Sequence, residues 1–388
     1  MRVLHIIAGT NPADGGPVQW ISQFATIMRG FGNTIEVASL DDWHCDWTEN
    51  RPMTVHALGS KYDTYLHAPQ LYRWLLENVF HYDAIVHHGL WSGTAFTTWR
   101  AMRAVKRKYV AFAHGMLDPY FREGWKKRSL KQIAWLASDW WLVRDATSVL
   151  FTTHEECAVA RRSLWPNSYT ETVIRYGTGD VPPDESSQKR AFHELMPALS
   201  GAPFLFFLGR LHPKKGCDIL LEAFSRVANS RPEFHLVIAG PDERNMTGDL
   251  IALASRLGIA EKVHLPGMLV GSVKWGAFRS CEAFVLASHQ ENFGIVVAEA
   301  LACGRPVIIT DKVNIADTIE ACGCGLICSD EVPSFGEALR KFFNCSCEER
   351  ERMSIRARET FLDKFYIGHT VADVIPILEQ LKPSPSTL

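Results

Sequence analysis

Glu291 and Glu299 stand eight positions apart in the stretch Ser288-His289-Gln290-Glu291-Asn292-Phe293-Gly294-Ile295-Val296-Val297-Ala298-Glu299. Each carboxylate offers two acceptor oxygens, and the vicinal hydroxyls of a sugar are matching donors. The run Ala283-Phe284-Val285-Leu286-Ala287 before them has strand length, and Gly294 to Cys303 has helical composition. Gly304 is placed as the C-cap, and Pro306 opens a further strand, Val307-Ile308-Ile309-Thr310. Glu291 is therefore expected on the loop at the carboxyl end of a strand, and Glu299 inside the following helix. In an open parallel sheet that edge binds ligands, and the first N–H groups of the helix attract anions. Two carboxylates beside such a helix start suit a ligand with both hydroxyls and phosphates, and a nucleotide sugar is such a ligand. The spacing alone fits a solvated strand–loop–helix equally well.

A second chemistry-bearing stretch lies upstream. Phe207-Leu208-Gly209-Arg210-Leu211-His212-Pro213-Lys214-Lys215-Gly216 follows an apolar strand and opens a helix. A glycine admits close backbone approach, and Arg or Lys just beyond a strand end can neutralise a diphosphate and the charge that grows on it as a leaving group. In the first half, Thr10-Asn11-Pro12-Ala13-Asp14-Gly15-Gly16-Pro17 joins a strand to a helix, and paired glycines there can cradle an anion or hydroxyl. His114-Gly115-Met116-Leu117-Asp118-Pro119 closes another strand, and a lone histidine is more often structural than functional.

Taken together, the segments around Gly209–Gly216 and Glu291–Glu299 resemble the G-R-x-x-x-x-K-G and E-x7-E signatures of the retaining family-4 (group 1) glycosyltransferases. The resemblance is strong over roughly residues 205–330 and moderate over 1–180. It implies a GT-B fold, with two doubly wound Rossmann-like domains facing across a cleft whose closure excludes water. It implies that Arg210 and Lys215 hold the donor diphosphate, with Lys214 exposed. Glu299 would accept from the ribose hydroxyls, and Glu291, with the N–H groups of Asn292, Phe293 and Gly294, would hold the donor sugar. The segment Val263–Met268 matches the one whose backbone meets the base, which brings Met268 near it. Gly15 and Gly16 correspond to the loop over the donor phosphate, and His114 to a cleft histidine beside the donor sugar. The wording H-G-M-L-D-P, with Lys126, Lys127 and Trp135 downstream, resembles a subgroup acting in bacterial surface-polysaccharide assembly, in which His88 and Trp91 would line the acceptor side. Asp118 is placed there too, or else caps the following turn. One departure stands out: Arg175-Tyr176-Gly177-Thr178-Gly179 replaces the family's P-N-G-V, which leaves local turn geometry open.

No carboxylate is obviously placed as a nucleophile for double displacement. The resemblance implies same-face transfer, in which the departing diphosphate oxygen helps deprotonate the incoming hydroxyl. No Asp-x-Asp pair occupies a convincing loop, and Asp41-Asp42 sits amid tryptophans, so no metal and no further cofactor are expected. The first βα turn lacks G-x-G-x-x-G, which argues against a nicotinamide-dependent oxidoreductase. A non-catalytic nucleotide-sugar-binding module, and a same-fold transferase acting on a small soluble sugar or sugar phosphate, stay open.

The elements that must position these residues follow from pattern. With 388 residues the chain exceeds a single core. Strands are expected at Val3–Ala8, Thr34–Ser39, Ala84–His87, Tyr109–Ala113 and Ser148–Thr152, then at Phe204–Gly209, His235–Ala239, Lys262–Leu265, Ala283–Ala287 and Val307–Thr310. Helical stretches such as Val18–Phe31 and Cys217–Asn229 alternate with them, as in parallel α/β sheets. This gives an acceptor-side domain at 1–180, a Pro- and Ser-rich linker at 181–202, a donor domain at 203–365, and a C-terminal helix and tail at 366–388 that could return to the first domain.

Composition excludes several classes. A net charge of −2 gives no drive toward nucleic acid. From Arg100 to Lys131, however, ten Lys or Arg face two acids, a solvated basic surface or an attraction to anionic lipid. Ten scattered cysteines lack the spacing of zinc clamps and are expected as free thiols. No apolar run approaches membrane-spanning length, so a cytoplasmic location is expected, with any membrane contact peripheral.

Overall fold

In this computed structural model, residues 1–12, 15–48, 51–59, 68–118, 125–242 and 244–383 are described, the side chains of 125–127 excepted. Ala13, Asp14 and Pro119 of the stretches singled out above lie outside them, as do Arg122 and Glu123, two of the charged residues counted between Arg100 and Lys131. The chain divides into two compact units, Met1–Tyr176 with Ile367–Leu388, and Gly177–Tyr366.

The first unit is built on seven strands: β1 (Arg2–Ile7), β2 (Thr34–Ser39), β3 (Thr54–Ala57), β4 (Ala84–His88), β5 (Val110–Phe112), β6 (Ser148–Phe151) and β7 (Glu171–Val173). Their order is β3-β2-β1-β4-β5-β6-β7, and every pairing is parallel. The second unit has β8 (Phe204–Leu208), β9 (His235–Ala239), β10 (Val263–Gly267), β11 (Ala283–Leu286), β12 (Val307–Thr310) and β13 (Gly325–Cys328), in the order β10-β9-β8-β11-β12-β13, again all parallel. Helices cover such sheets on both faces, so their central strands are continuous apolar runs, as Phe204-Leu205-Phe206-Phe207-Leu208 is. Each order reverses once, at β1/β4 and at β8/β11, and the loops beyond the carboxyl ends diverge there to leave a crevice.

Three strands escape the sequence pattern: β3, β7 and β13. All are edge strands of three or four residues, half-exposed along most of their length, so little apolar alternation marks them. The stretch 181–202 is not a linker. It contains the helix Glu185–Leu195, whose N-terminus Asp184 caps by accepting from the Ser187 N–H, and it belongs to the second unit. Phe192 is wholly buried and stacks near Phe204, and a Cβ at Gly276 would meet the Gln188 carbonyl oxygen at 2.0 Å, so the helix Gly271–Ser280 lies directly against this one. Charge and proline made the stretch look solvated, yet its apolar residue anchors it. The C-terminal helix Ile367–Glu379 packs against the helix Gly16–Gly30 of the first unit, where Asp373 accepts from the Arg175 guanidinium.

Truncating Phe192 to alanine removes a ring from this seam and is expected to cost about 3–5 kcal/mol. Chemical denaturation of the full chain checks it: a midpoint unchanged from wild type would mean that the helix is peripheral to the second unit.

Candidate functional site

At the β8/β11 switch point, the second unit gathers the residues that carry charge. β8 runs out into Gly209 and Arg210, and the short turn Pro213–Lys215 then leads into the helix Cys217–Ala228. Gly216 has φ +61°, and a Cβ there would lie 2.1 Å from the Ala287 carbonyl oxygen, so this turn abuts the end of β11 with no room for a side chain. The His289 N–H donates to the Lys214 carbonyl at 2.9 Å and fastens the β11 loop to the same turn. On its other side, Glu291 donates its N–H to the Lys312 carbonyl (2.9 Å) and accepts from the Asn314 N–H (3.1 Å), bridging to the loop after β12. The Glu291 carboxylate is thereby delivered to the Lys215 ammonium, with which it forms an ion pair.

Burial alone would raise the Glu291 carboxyl. The positive charges of Lys215, Lys214 and Arg210, with the hydrogen bond from Lys215, more than offset it, and the pKa lies below the ordinary carboxylate range. Arg210 is exposed, whereas Lys214, expected to be exposed, is half-buried beside the loop it helps to hold. Gly294 takes φ +75° as N-cap of the helix Ile295–Ala302 and has no side chain of its own to cap the first N–H groups. Asn292 lies within hydrogen-bond reach of the Asn314 amide, and the Phe293 ring is buried edge-on to Phe365, which makes it packing.

Glu299 is 1% exposed, and it accepts from the Lys274 ammonium at 2.8 Å. Lys274 lies in turn 4.2 Å from the Trp275 ring centroid. A buried carboxylate needs such a partner, and the pair is a fixed, hydrogen-bonded charge dipole inside the helix layer. No local spacing announces Lys274, which is 25 positions away. Met268 sits just beyond β10 and is 47% exposed, so it is not a core methionine. Thus Arg210, Lys215, Glu291 and Gly294 come together at one edge, with Glu299 about one turn into the adjoining helix.

The first unit presents a different arrangement. Gly15, at φ +87°, caps the helix Gly16–Gly30, and a Cβ built at Gly15 or Gly16 meets nothing among the described residues. Asp41, passed over in sequence as a metal ligand, accepts from the N–H and hydroxyl of Thr10 and from the Ser39 hydroxyl, and so braces the entry to that loop. His114 and Gly115 both have positive φ, +50° and +75°. Buried Glu156 holds this turn by accepting from the Gly115 N–H and from the N–H and hydroxyl of Thr152, all at 2.7 Å. His88 does not line an open surface: it is 1% exposed, with Nε2 2.7 Å from His5 Nδ1 and Nδ1 2.8 Å from His114 Nε2. The Trp91 indole N–H is likewise engaged, donating to the Met116 carbonyl at 2.9 Å, and its backbone N–H donates to buried Asp139. Asp118 donates its backbone N–H to Gly115 and closes the turn that holds His114. His5, Asp139 and Glu156 carry no motif and become visible only through these partners. The Tyr176 ring stacks on Trp20 and meets Phe112 and His114 edge-on, so the departure from P-N-G-V adds a wall to the histidine cluster.

Part of the basic stretch is structural. Arg100 lies over the Tyr72 ring, Arg103 over Trp99, and Arg107 donates to the Tyr82 carbonyl. All ten thiols are unpaired, and among the described residues no helix is long and apolar enough to cross a membrane.

The family described as "Glycosyl transferases group 1" matches residues 190–360, all within the second unit. A D-inositol 3-phosphate glycosyltransferase of Jonesia denitrificans is 26% identical over 213 residues, 53% of this chain and 50% of that protein. A mannosylfructose-phosphate synthase of Agrobacterium fabrum is 36% identical over 109 residues, 26% of this chain and 24% of that one. The matches thus span about half or less of these relatives. Among solved structures, Anabaena HepE in complex with UDP and glucose aligns with a TM-score of 0.79 at 17% identity, covering 98% of this chain and 100% of that one. Sucrose-phosphate synthase from Thermosynechococcus elongatus aligns at 0.74, also with 17% identity and 98% of each chain. The fold is the two-unit, parallel-sheet α/β architecture of GT-B proteins, and the second unit carries the group 1 pattern.

A carboxyl depressed in the folded state adds stability above its unfolded pKa and loses it as pH falls through the folded value. Glu291→Gln, which leaves Lys215 without its counter-charge, is expected to cost about 1–3 kcal/mol at pH 7. The gap between variant and wild type should close as pH drops below about 4. Denaturation at stepped pH decides it; a gap constant down to pH 3 would contradict the electrostatic assignment.

Proposed function

We propose that this chain is a retaining glycosyltransferase that moves a hexose from a nucleotide sugar to a hydroxyl acceptor, without a metal cofactor. One observation carries the reading: the segment matching the group 1 family contains, at its sheet switch point, two lysines and an arginine around one depressed carboxylate, beside a helix start whose N-cap is a glycine. Arg210 and Lys215 would bind the diphosphate, with the N–H groups of Asn292, Phe293 and Gly294 close to it. Glu291 would release part of its hold on Lys215 to accept from sugar hydroxyls, and Glu299 would anchor the nucleoside end with Met268 near the base. In the transfer step the bond between the anomeric carbon and the diphosphate oxygen breaks. The acceptor oxygen bonds to the same face, and its proton passes to the departing diphosphate.

For the acceptor, the relatives with named substrates support a phosphorylated small sugar or polyol. A second reading, a lipid-linked glycan of a bacterial surface polysaccharide, is favoured by one observation. On the helix Trp125–Ala134, Leu130 and Ile133 are 66% and 64% exposed beside exposed Arg128, a mixed apolar and cationic face suited to anionic lipid at the inner surface of a membrane. Flotation with anionic vesicles at low and high salt separates the two: salt-sensitive co-flotation favours the lipid-linked acceptor, and none favours the soluble one.

The donor site is tested by a thermal-shift panel of UDP, GDP, ADP and their sugar conjugates, without added metal. One nucleotide series should stand out. Glu299→Ala should weaken its binding at least tenfold, about 1.4 kcal/mol. Glu291→Ala should reduce transfer while nucleoside diphosphate binding survives. Undiminished turnover in both variants would overturn the assignment.

A further inference from the structure

Three imidazoles from three different strands or strand ends form one hydrogen-bonded ladder in the first unit. His5 lies on β1, His88 ends β4, and His114 follows β5. Their rings are nearly coplanar, at 17° and 19°, with centroids 4.9 and 5.1 Å apart, which is edge-to-edge hydrogen bonding and not face stacking. The contacts are His5 Nδ1 to His88 Nε2 and His88 Nδ1 to His114 Nε2. Each neutral imidazole has one donor and one acceptor, so the ladder has only two consistent proton arrangements. In one, every Nδ1 carries the proton, and His114 turns an N–H donor away from the ladder. In the other, every Nε2 carries it, and His114 turns out a lone pair.

The buried end decides between them. His5 Nε2 is buried with no hydrogen-bond partner among the described residues, and its ring lies against Phe24, which has no lone pair to offer. A buried N–H without an acceptor is more costly than a buried lone pair without a donor, and is correspondingly rarer. The second arrangement would strand an N–H there; the first strands only a lone pair. The jacket of Trp20, Phe24, Phe112 and Tyr176 carries no charge, and burial holds His5 and His114 down to about 3, so the ladder is neutral at pH 7.

We infer that His5 and His88 are positioning residues that lock His114 as its Nδ1–H tautomer, so that it presents a hydrogen-bond donor to a hydroxyl or phosphate oxygen of the ligand. This deepens the reading given above and rests on it for the identity of that ligand; the tautomer itself does not. His114, partly exposed where His5 and His88 are 1% exposed, is the ladder's open end.

The test is nitrogen-15 NMR of the full chain labelled at its 15 histidines, near pH 7, with the signals assigned by single substitutions. The expected result is protonated Nδ1 and unprotonated Nε2 at His5, His88 and His114. An Nε2–H tautomer or an imidazolium at His114 overturns the inference and leaves nucleotide binding by the second unit untouched. In the second arm, His5→Leu removes the donor to His88 and should lower kcat for transfer about tenfold, with nucleoside diphosphate affinity unchanged. His5→Asn, whose amide N–H can replace Nδ1–H, should restore most of it. Equal losses in both variants, with melting temperatures held, also overturn it. A chain that shows the expected tautomers but transfers no sugar refutes the functional reading alone.

Discussion

The second unit's chemistry depends on how Glu291 is held. Its backbone is tied on one side to the loop after β12, and the residue two before it is tied to the turn after β8. With N–H and carbonyl both committed, the backbone is held where the side chain reaches Lys215. The glycine at 216 admits this convergence, because any Cβ there would overlap the end of β11. Charge, strand order and glycine conformation therefore act as a single constraint. Remove the backbone ties and the carboxylate would return to water, where an ion pair with lysine is worth little.

The first unit solves a related problem with hydrogen bonds. Its sheet-edge histidine is set by a neutral hydrogen-bonded chain inside an aromatic shell, and its turn is set by the buried Glu156 carboxylate. Tyr176, which replaces a short polar residue of the expected pattern, completes that shell. The substitution is thus tied to the histidines at 5 and 88 as part of one packing solution.

Much of the sheet scaffold was legible from the sequence, because parallel strands buried on both faces leave largely apolar runs, as in nine of the ten strands expected; the tenth, β10, is an edge strand. What was not legible has a common cause: partners far apart in sequence. The helix Glu185–Leu195 looked like a linker because its single anchor, Phe192, carries no periodic signal of its own. The edge strands β3, β7 and β13 take their conformation from a neighbour's backbone. Lys274 and Glu156 satisfy carboxylate or amide groups dozens of positions away. His88 was expected to line the acceptor side, whereas burial and two ring contacts make it interior. Local motifs located the loops; the buried groups that fix those loops required the fold.

The division of the chain has a consequence for how it is made. The first unit consists of residues up to Tyr176 and then of Ile367 onward, with the whole second unit spelled out between them. On a ribosome, which releases the chain from its N-terminus, the seven-stranded sheet emerges long before the helix that packs against the helix Gly16–Gly30. The second unit, continuous in sequence, can complete its core first. The face of the helix Gly16–Gly30 that lies under the C-terminal helix is then covered late, and until that moment it is a place where a chaperone would find the nascent protein unfinished.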